Sequence, residues 1–206
     1  MKIVAFQGSP RPSGNTDTLL EAALKPLKEA GHEIILFKLN LMRIKPCQDC
    51  GSCEKSGKCI IDDDMIEIYS AIRAAERIIL ASPIFFFGLS AQVKAMIDRC
   101  QAFWCEKYLM KQSIPEGPYG RKGLLLLVGG MKKEIGMTCS DATAKAFFIF
   151  NTLFVRFPAM IEGSTPESVS VSFSAELFLP ESISALIIVT HYSAMLLTLL
   201  SCMPAS

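Results

Sequence analysis

Three short apolar runs, Lys2 to Gln7, Arg77 to Ser82 and Gly123 to Val128, constrain this chain more than anything else in it. Arg77 to Ser82 is apolar almost throughout, the pattern of a strand covered on both faces in a parallel sheet. Glu33 to Leu39 adds a further, mostly apolar strand. Segments with helical spacing stand between the strands. Leu19, Leu20, Leu24 and Leu27 mark one over Thr16 to Ala30. Met65, Ile68, Ile72 and Ala75 follow Asp64 and Glu67, which read as a capping pair. Val93, Met96, Ile97, Cys100 and Phe103 follow Ser90, a candidate cap for a helix reaching about Trp104. Ala144, Phe147, Phe148 and Leu153 mark a helix opening at Thr138 or Ser140 and ending near Phe154. Alternating strands and helices imply right-handed crossovers and an α/β fold, a doubly wound parallel sheet with helices on both faces.

Such a sheet takes its ligands at the carboxyl ends of the strands. Three loops fall there. Gly8-Ser9-Pro10-Arg11-Pro12-Ser13-Gly14-Asn15-Thr16 combines hydroxyls, a guanidinium and glycines just before a helix N-terminus, the composition of a phosphate cradle as well as of an ordinary turn. It is neither a Walker loop nor a G-x-G-x-x-G dinucleotide loop. Pro83 to Ser90 reads as a loop whose Phe85, Phe86 and Phe87 suit a core plug or the wall of a site for a flat ring. Gly129-Gly130-Met131 lets backbone approach a ligand closely. One ligand with a phosphate and a flat ring would touch all three. Glu106 to Lys122, rich in proline and glycine, reads as a long excursion of the kind used for lids or interfaces.

Four of the eight cysteines, Cys47, Cys50, Cys53 and Cys59, fall within thirteen residues at spacing C-x2-C-x2-C-x5-C. Four thiolates on so short a loop surround an iron–sulfur cluster or one zinc ion, or stand free. The N-terminal apolar run is too short for a signal peptide, which points to a reducing cytoplasm where clustered cysteines serve metals or redox chemistry. Net charge is +1 without basic runs interleaved with aromatics, which argues against nucleic acid as a partner. Cys100, Cys105, Cys139 and Cys202 read as core or incidental residues. Asp62, Asp63 and Asp64 read as helix N-terminal acids complementing the dipole.

After Arg156 there is no lysine or arginine, and serines crowd the chain. Pro158 to Gly163 offers one more strand, whereas Ile183 to Met203 is apolar but broken by polar residues and unflanked by basic ones, so a membrane span is disfavoured. The chain therefore divides into a domain over 1–157, with a cysteine-rich loop at 46–60, and an atypical segment over 158–206. That segment reads as a buried or oligomer-forming helix, or as a C-terminus not native to the fold.

Gly8-Ser9-Pro10-Arg11 with Gly14-Asn15-Thr16, the cysteine loop running into Ile60-Ile61-Asp62-Asp63-Asp64-Met65, and Ser82-Pro83-Ile84-Phe85-Phe86-Phe87-Gly88 leading to Ala91 through Arg99 together resemble the iron–sulfur flavoprotein branch of the NADPH-dependent FMN reductase family. The resemblance implies a flavodoxin-like fold binding FMN, its phosphate held by Ser9, Arg11, Ser13, Asn15 and Thr16 around Gly14. It implies a ring against Pro83, Ile84, Phe85, Phe86, Phe87 and Gly88 and against Gly129, Gly130 and Met131. It also implies a [4Fe–4S] cluster on Cys47, Cys50, Cys53 and Cys59, no side-chain acid or base, a homo-oligomer (dimer or tetramer), a ferredoxin-like or NAD(P)H electron donor and a small-molecule acceptor. Two alternatives stand beside the electron-transfer flavoprotein: an NAD(P)H-dependent FMN or quinone reductase whose cysteine loop is not redox-active, and a flavin-binding module that turns nothing over. The segment after Phe157 departs from the family pattern.

Overall fold

The computed structural model describes residues 1–112, 120–129 and 134–151, with the backbone of 159–161 and 188–189. Its strands are β1 (Lys2–Gln7), β2 (Glu33–Lys38), β3 (Arg77–Phe85), β4 (Gly88–Leu89), β5 (Lys122–Val128), β6 (Ala159–Ile161) and β7 (Ile188–Val189). Its helices are α1 (Asn15–Glu29), α2 (Ser52–Ser56), α3 (Met65–Ala74), α4 (Ala91–Arg99), α5 (Gln101–Trp104) and α6 (Glu134–Asn151). The sheet order is β2-β1-β3-β5-β6-β7 with every neighbour parallel, while β4 turns back antiparallel on β3. Without the β4 hairpin, the first five strands follow the flavodoxin-like order, whose switch point lies between β1 and β3.

Alternation along the strands builds a core on each face. Ile3, Ala5, Ile79, Ala81, Leu124 and Leu126 face Leu19, Leu20, Ala23, Leu24 and Leu27 of α1. The intervening Val4, Phe6, Ile78, Leu80, Leu125 and Leu127 pack with Ile68 and Ile72 of α3, Met96 of α4, Phe103 of α5 and the Phe147 and Phe148 rings of α6. Each fully buried leucine contributes about 1.5–3 kcal/mol. That stripe, more than propensity, holds α1. The helix ends in a Schellman motif: Gly31, at φ 75°, donates its N–H to Lys28 O, and His32 N–H reaches Leu27 O.

Several elements depart from the sequence-based expectation. Pro83 to Ser90 is a hairpin rather than a loop, because β3 runs on to Phe85 and pairs back through Ile84–Leu89 and Phe85–Gly88. Phe86 and Phe87 form its turn at φ 47° and 63°, a left-handed pair that hairpins favour but bulky residues resist. Asp64 makes no side-chain cap on α3; Asp63 Oδ1 accepts the Met65 N–H instead, at 3.0 Å. Ser90 does cap α4, its Oγ accepting from Val93 N–H. The expected helix to Trp104 is interrupted at Cys100, and Cys105–Leu109 continues it as a wider π turn, so the excursion begins later than Glu106. α6 starts at Glu134, ahead of Thr138. Residues 188–189 are a strand, not part of a helix, in keeping with their β-branched pair. The rest of the 158–206 segment, apart from β6, lies outside the described residues. No helix among the described residues is long and apolar enough to cross a membrane.

Candidate functional site

Two cavities gather the residues that carry chemistry. The first, of about 290 Å³, opens at the carboxyl ends of β1, β3 and β5 and is lined by Ser9, Pro10, Arg11, Gly14, Asn15, Thr16, Pro83, Ile84, Phe85, Val128 and Gly129. Hydrogen bonds buried beneath it fix its floor. Ser90 Oγ donates to Gly8 O at 2.6 Å while capping α4, and Ser82 Oγ accepts the Ser90 N–H at 3.1 Å. Gly8 is needed there because a Cβ would lie 2.1 Å from Val93 Cγ2 and 3.0 Å from Ala81 O.

The loop above this floor is shaped by side chain to backbone bonds. Ser9 Oγ accepts the Arg11 N–H at 3.2 Å, and Asp17 accepts the Ser13 N–H at 2.6 Å and the Gln7 amide. Those bonds hold Ser13 at φ 52°. Gly14 stands at the N-cap of α1 without a side chain to cap it, so the first-turn N–H groups lack a capping partner from that residue. A helix N-terminus without a side-chain cap, beside Ser9, Thr16 and the exposed Arg11, has the composition that suits an anion. Apolar Pro83, Ile84, Phe85 and Val128 form the opposite wall, where Gly129 keeps the backbone close: its Cβ would meet Ile84 Cδ1 at 3.2 Å. The cavity thus fits a group with an anionic end and a flat apolar body, which is the chemistry of FMN.

Of the expected ring and phosphate residues, Ser13, Phe86, Phe87 and Gly88 are not among those lining the cavity. Ser13 spends its N–H on Asp17, and Phe86, at the hairpin tip, is fully exposed at 104%. Gly130 and Met131 lie outside the described residues. Pro10 and Val128 join the lining although nothing in their residue types announced it.

The second cavity, about 40 Å³, is lined by Cys47, Cys50, Cys53 and Cys59 together with Gln48, Asp49, Gly51, Glu54, Ile60, Ile61, Arg99 and Gln101. Its neck is a set of charged bonds. Arg43 N–H donates to Asp64 at 2.7 Å and Lys45 N–H to Asp63 at 2.9 Å. The Arg99 guanidinium, fully buried, donates to Lys45 O, to Ile61 O and to both Asp63 oxygens, at 2.8–3.2 Å. Arg99 therefore ties the chain before Cys47 to the chain after Cys59. Burial pushes the Asp63 carboxyl up, but hydrogen bonds from Arg99 and from the Lys45 and Met65 N–H groups outweigh it and hold the group below its ordinary value. Burial pulls Arg99 down, yet its bonds with Asp63 and the influence of Tyr69 and Cys59 leave it raised. The expected dipole role for the three acids is therefore too weak a description: Asp63 and Asp64 close the loop.

The thiols differ by environment. The exposed Cys50 is lowered by hydrogen bonding to Ser52, whereas burial and the neighbouring Cys105 push Cys53 up to about 11. Cys105 Sγ, fully buried, lies 3.7 Å from Cys53 Sγ. Cys105 is a core residue, one of the two readings its sequence allowed, and in addition stands against Cys53; 52 residues separate the pair, and no local signal could have joined them. Cys100 is a core residue as expected, Cys139 is exposed, and Cys202 lies outside the described residues. Among the described residues no three His, Cys, Asp or Glu side chains form a set placed to hold a metal ion. The donor chemistry still suits a thiolate-bound group: four thiols share one cavity over a buried guanidinium whose Nε has no hydrogen-bond partner.

Comparison with known proteins bears on both cavities. The model of the NADPH-dependent FMN reductase family matches residues 1–164. An iron–sulfur flavoprotein of Archaeoglobus fulgidus is 39% identical over 128 residues, 62% of this chain and 62% of that protein. An iron–sulfur flavoprotein of Methanocaldococcus jannaschii is 32% identical over 154 residues, 74% of this chain and 73% of its own length. The first of these matches spans less than two thirds of the relative. The solved structure of an NAD(P)H:quinone oxidoreductase from Methanothermobacter marburgensis superposes with a TM-score of 0.56 over 81% of this chain and 88% of that one at 18% identity, a likeness of fold.

Proposed function

The chain belongs to the NADPH-dependent FMN reductase family, in its iron–sulfur flavoprotein branch, and on that footing we propose that it is an FMN-dependent oxidoreductase whose cysteine loop carries a [4Fe–4S] cluster. The observation that carries the flavin half is the single cavity that gathers Ser9, Arg11, Gly14, Asn15, Thr16, Pro83, Ile84, Phe85 and Gly129 from three separate loops. When bound, FMN supplies two-electron and one-electron chemistry and the cluster supplies single-electron transfer. The remaining work falls to the chain itself. The N-terminus of α1 with Ser9, Thr16 and Arg11 binds the phosphate end. Pro83, Ile84, Phe85 and Val128 keep water off one side of the ring, and Gly129 lets the backbone approach it. Cys47, Cys50, Cys53 and Cys59 are the ligands, and the Arg99 staple holds both ends of their loop against the domain. No side chain moves a proton in this scheme. Electrons enter from a ferredoxin-like protein or NAD(P)H and leave to a small-molecule acceptor.

Anaerobically purified protein tests the proposal. It should hold FMN, iron and acid-labile sulfide, with a broad shoulder beside the flavin bands that bleaches on reduction. Zinc, or no metal, with FMN retained would favour the second reading, an NAD(P)H-dependent FMN or quinone reductase with a redox-silent loop. Flavin that is bound but reduced by neither NAD(P)H nor ferredoxin would leave only a binding module.

A further inference from the structure

We propose that Cys53 and Cys105 form a thiol–disulfide site, in which Cys105 is a resolving thiol for the cysteine loop. The two sulfurs lie 3.7 Å apart, within hydrogen-bonding distance for thiols. Two further thiols have other partners: Cys50 lies 3.5 Å from Ser52 Oγ and Cys100 3.4 Å from the Met96 carbonyl, while Cys59 shares the cavity with Cys53. A disulfide bond needs about 2.05 Å, so the sulfurs must close by about 1.7 Å. Cys53 sits on α2, five residues bounded by Gly51 and Gly57 at φ 68° and 67°. Two glycines in that conformation let so short a helix shift without dragging its neighbours.

α2 is also seated on the segment that carries Cys105. A Cβ at Gly57 would lie 2.9 Å from Met110 Sδ and 3.5 Å from Glu106 Cβ. Cys105 itself opens the π turn Cys105–Leu109, a geometry that widens the helix at this contact. Glu106, the next residue, is held by both guanidinium nitrogens of Arg73, which steadies that side of the pair. The partly exposed Cys53 is the thiol an oxidant reaches, and the buried Cys105 is the one that answers.

With a peroxide as oxidant the chemistry balances. The Cys53 thiol gives up its proton and its sulfur attacks one peroxide oxygen, breaking the O–O bond; Cys53 becomes a sulfenic acid, and the displaced hydroxide takes the proton and leaves as one water. Cys105 sulfur then displaces hydroxide from it, forming the S–S bond, while the thiol proton leaves in a second water. Both sulfurs are oxidised by one electron each, and one peroxide is reduced to two waters. The consequence for the loop rests on the cluster reading: a Cys53–Cys105 bond removes one of four ligands, so oxidation and cluster assembly compete for the same sulfur.

Peptide mapping decides it on the full chain. Protein is prepared anaerobically, its iron is measured, and samples with and without chelator treatment are exposed to hydrogen peroxide, alkylated after unfolding and digested with trypsin and chymotrypsin. The expected product joins the 44–55 peptide, whose Lys45–Pro46 bond trypsin leaves intact, to the fragment holding Cys105, two hydrogens lighter than the sum of the thiols. It is lost in Cys105→Ala and in Cys53→Ala. Retention of Cys105 as a fully alkylated thiol in iron-free, peroxide-treated protein overturns the proposal, whatever pairs form among Cys47, Cys50, Cys53 and Cys59. A cross-link in protein that never held iron sinks the cluster reading alone and supports the thiol pair.

Discussion

Asp63→Asn removes the negative partner of a fully buried Arg99 while keeping the shape of the side chain. In the structure Asp63 accepts from Arg99 Nη1 and Nη2 and from the Lys45 and Met65 N–H groups, and both ionic partners are almost wholly buried, at 0% and 3% exposure. An amide oxygen keeps one of the two bonds from the guanidinium, but the other side-chain acceptor and the compensating negative charge are lost, and the Lys45 and Ile61 carbonyls are neutral. Breaking one side of a buried pair costs about 3–5 kcal/mol, since the survivor is desolvated without compensation. For a chain of this size that lowers Tm by roughly 6–20 °C. The Arg73–Glu106 pair, its side chains 41% and 16% exposed, is the internal contrast. Despite its two short bonds, Glu106→Gln should cost only about 1 kcal/mol, because water reaches the Arg73 end and screens the charges. Urea unfolding of the three proteins reads both numbers. Alkylation of the native proteins adds a second readout, since a released neck exposes Cys53 and Cys59 and speeds their modification. An Asp63→Asn loss no larger than that of Glu106→Gln, with unchanged alkylation, would refute the argument that the buried pair closes the loop.

The same pair sets an acid limit. Because the Asp63 carboxyl is held below its unfolded value of about 3.9, the unfolded state binds the extra proton first, and stability falls as pH drops from about 4 through the folded value; Asp63→Asn should flatten that part of the stability curve. Gly8→Ala places a methyl 2.1 Å from Val93 Cγ2 and should cost about 1–3 kcal/mol by overpacking, together with lost flavin retention; unchanged unfolding would mean that β1 and α4 separate freely. Replacing Phe86-Phe87 by Asn-Gly should stabilise the protein by about 1 kcal/mol, because the pair occupies left-handed turn positions that asparagine and glycine accept, and a drop in Tm would show that the rings are held by packing. Arg11→Ala should weaken FMN by about 1.5–3 kcal/mol through loss of a charge-assisted contact, and unchanged flavin content after gel filtration would count against that role.

The β–α order was legible in the sequence because it rests on local periodicity. Lys2 to Gln7, Arg77 to Ser82 and Gly123 to Val128 are strands within a residue or two of expectation, with β3 running on past Ser82, and the leucines of α1 face the core as their spacing requires. Most of the loop over Ser9 to Thr16 that lines the first cavity was legible for the same reason: consecutive residues before a helix N-terminus fall in one place whatever the rest of the chain does. The hairpin at Phe86-Phe87 was not, since two phenylalanines in left-handed conformation oppose local preference and are held there by the pairing of Ile84 with Leu89.

By itself, then, the sequence determined a doubly wound sheet, the loops at its carboxyl edge and a group of four thiols on one short segment. Only tertiary structure decided what those thiols stand against. Arg99 lies 36 residues from Asp63 and Cys105 lies 52 from Cys53, so the staple and the fifth sulfur arise from the packing of α4, α5 and the π turn beneath the cysteine loop. Contacts of that kind depend on where helices cross, and the pattern along one strand or one helix carries no record of its distant neighbours.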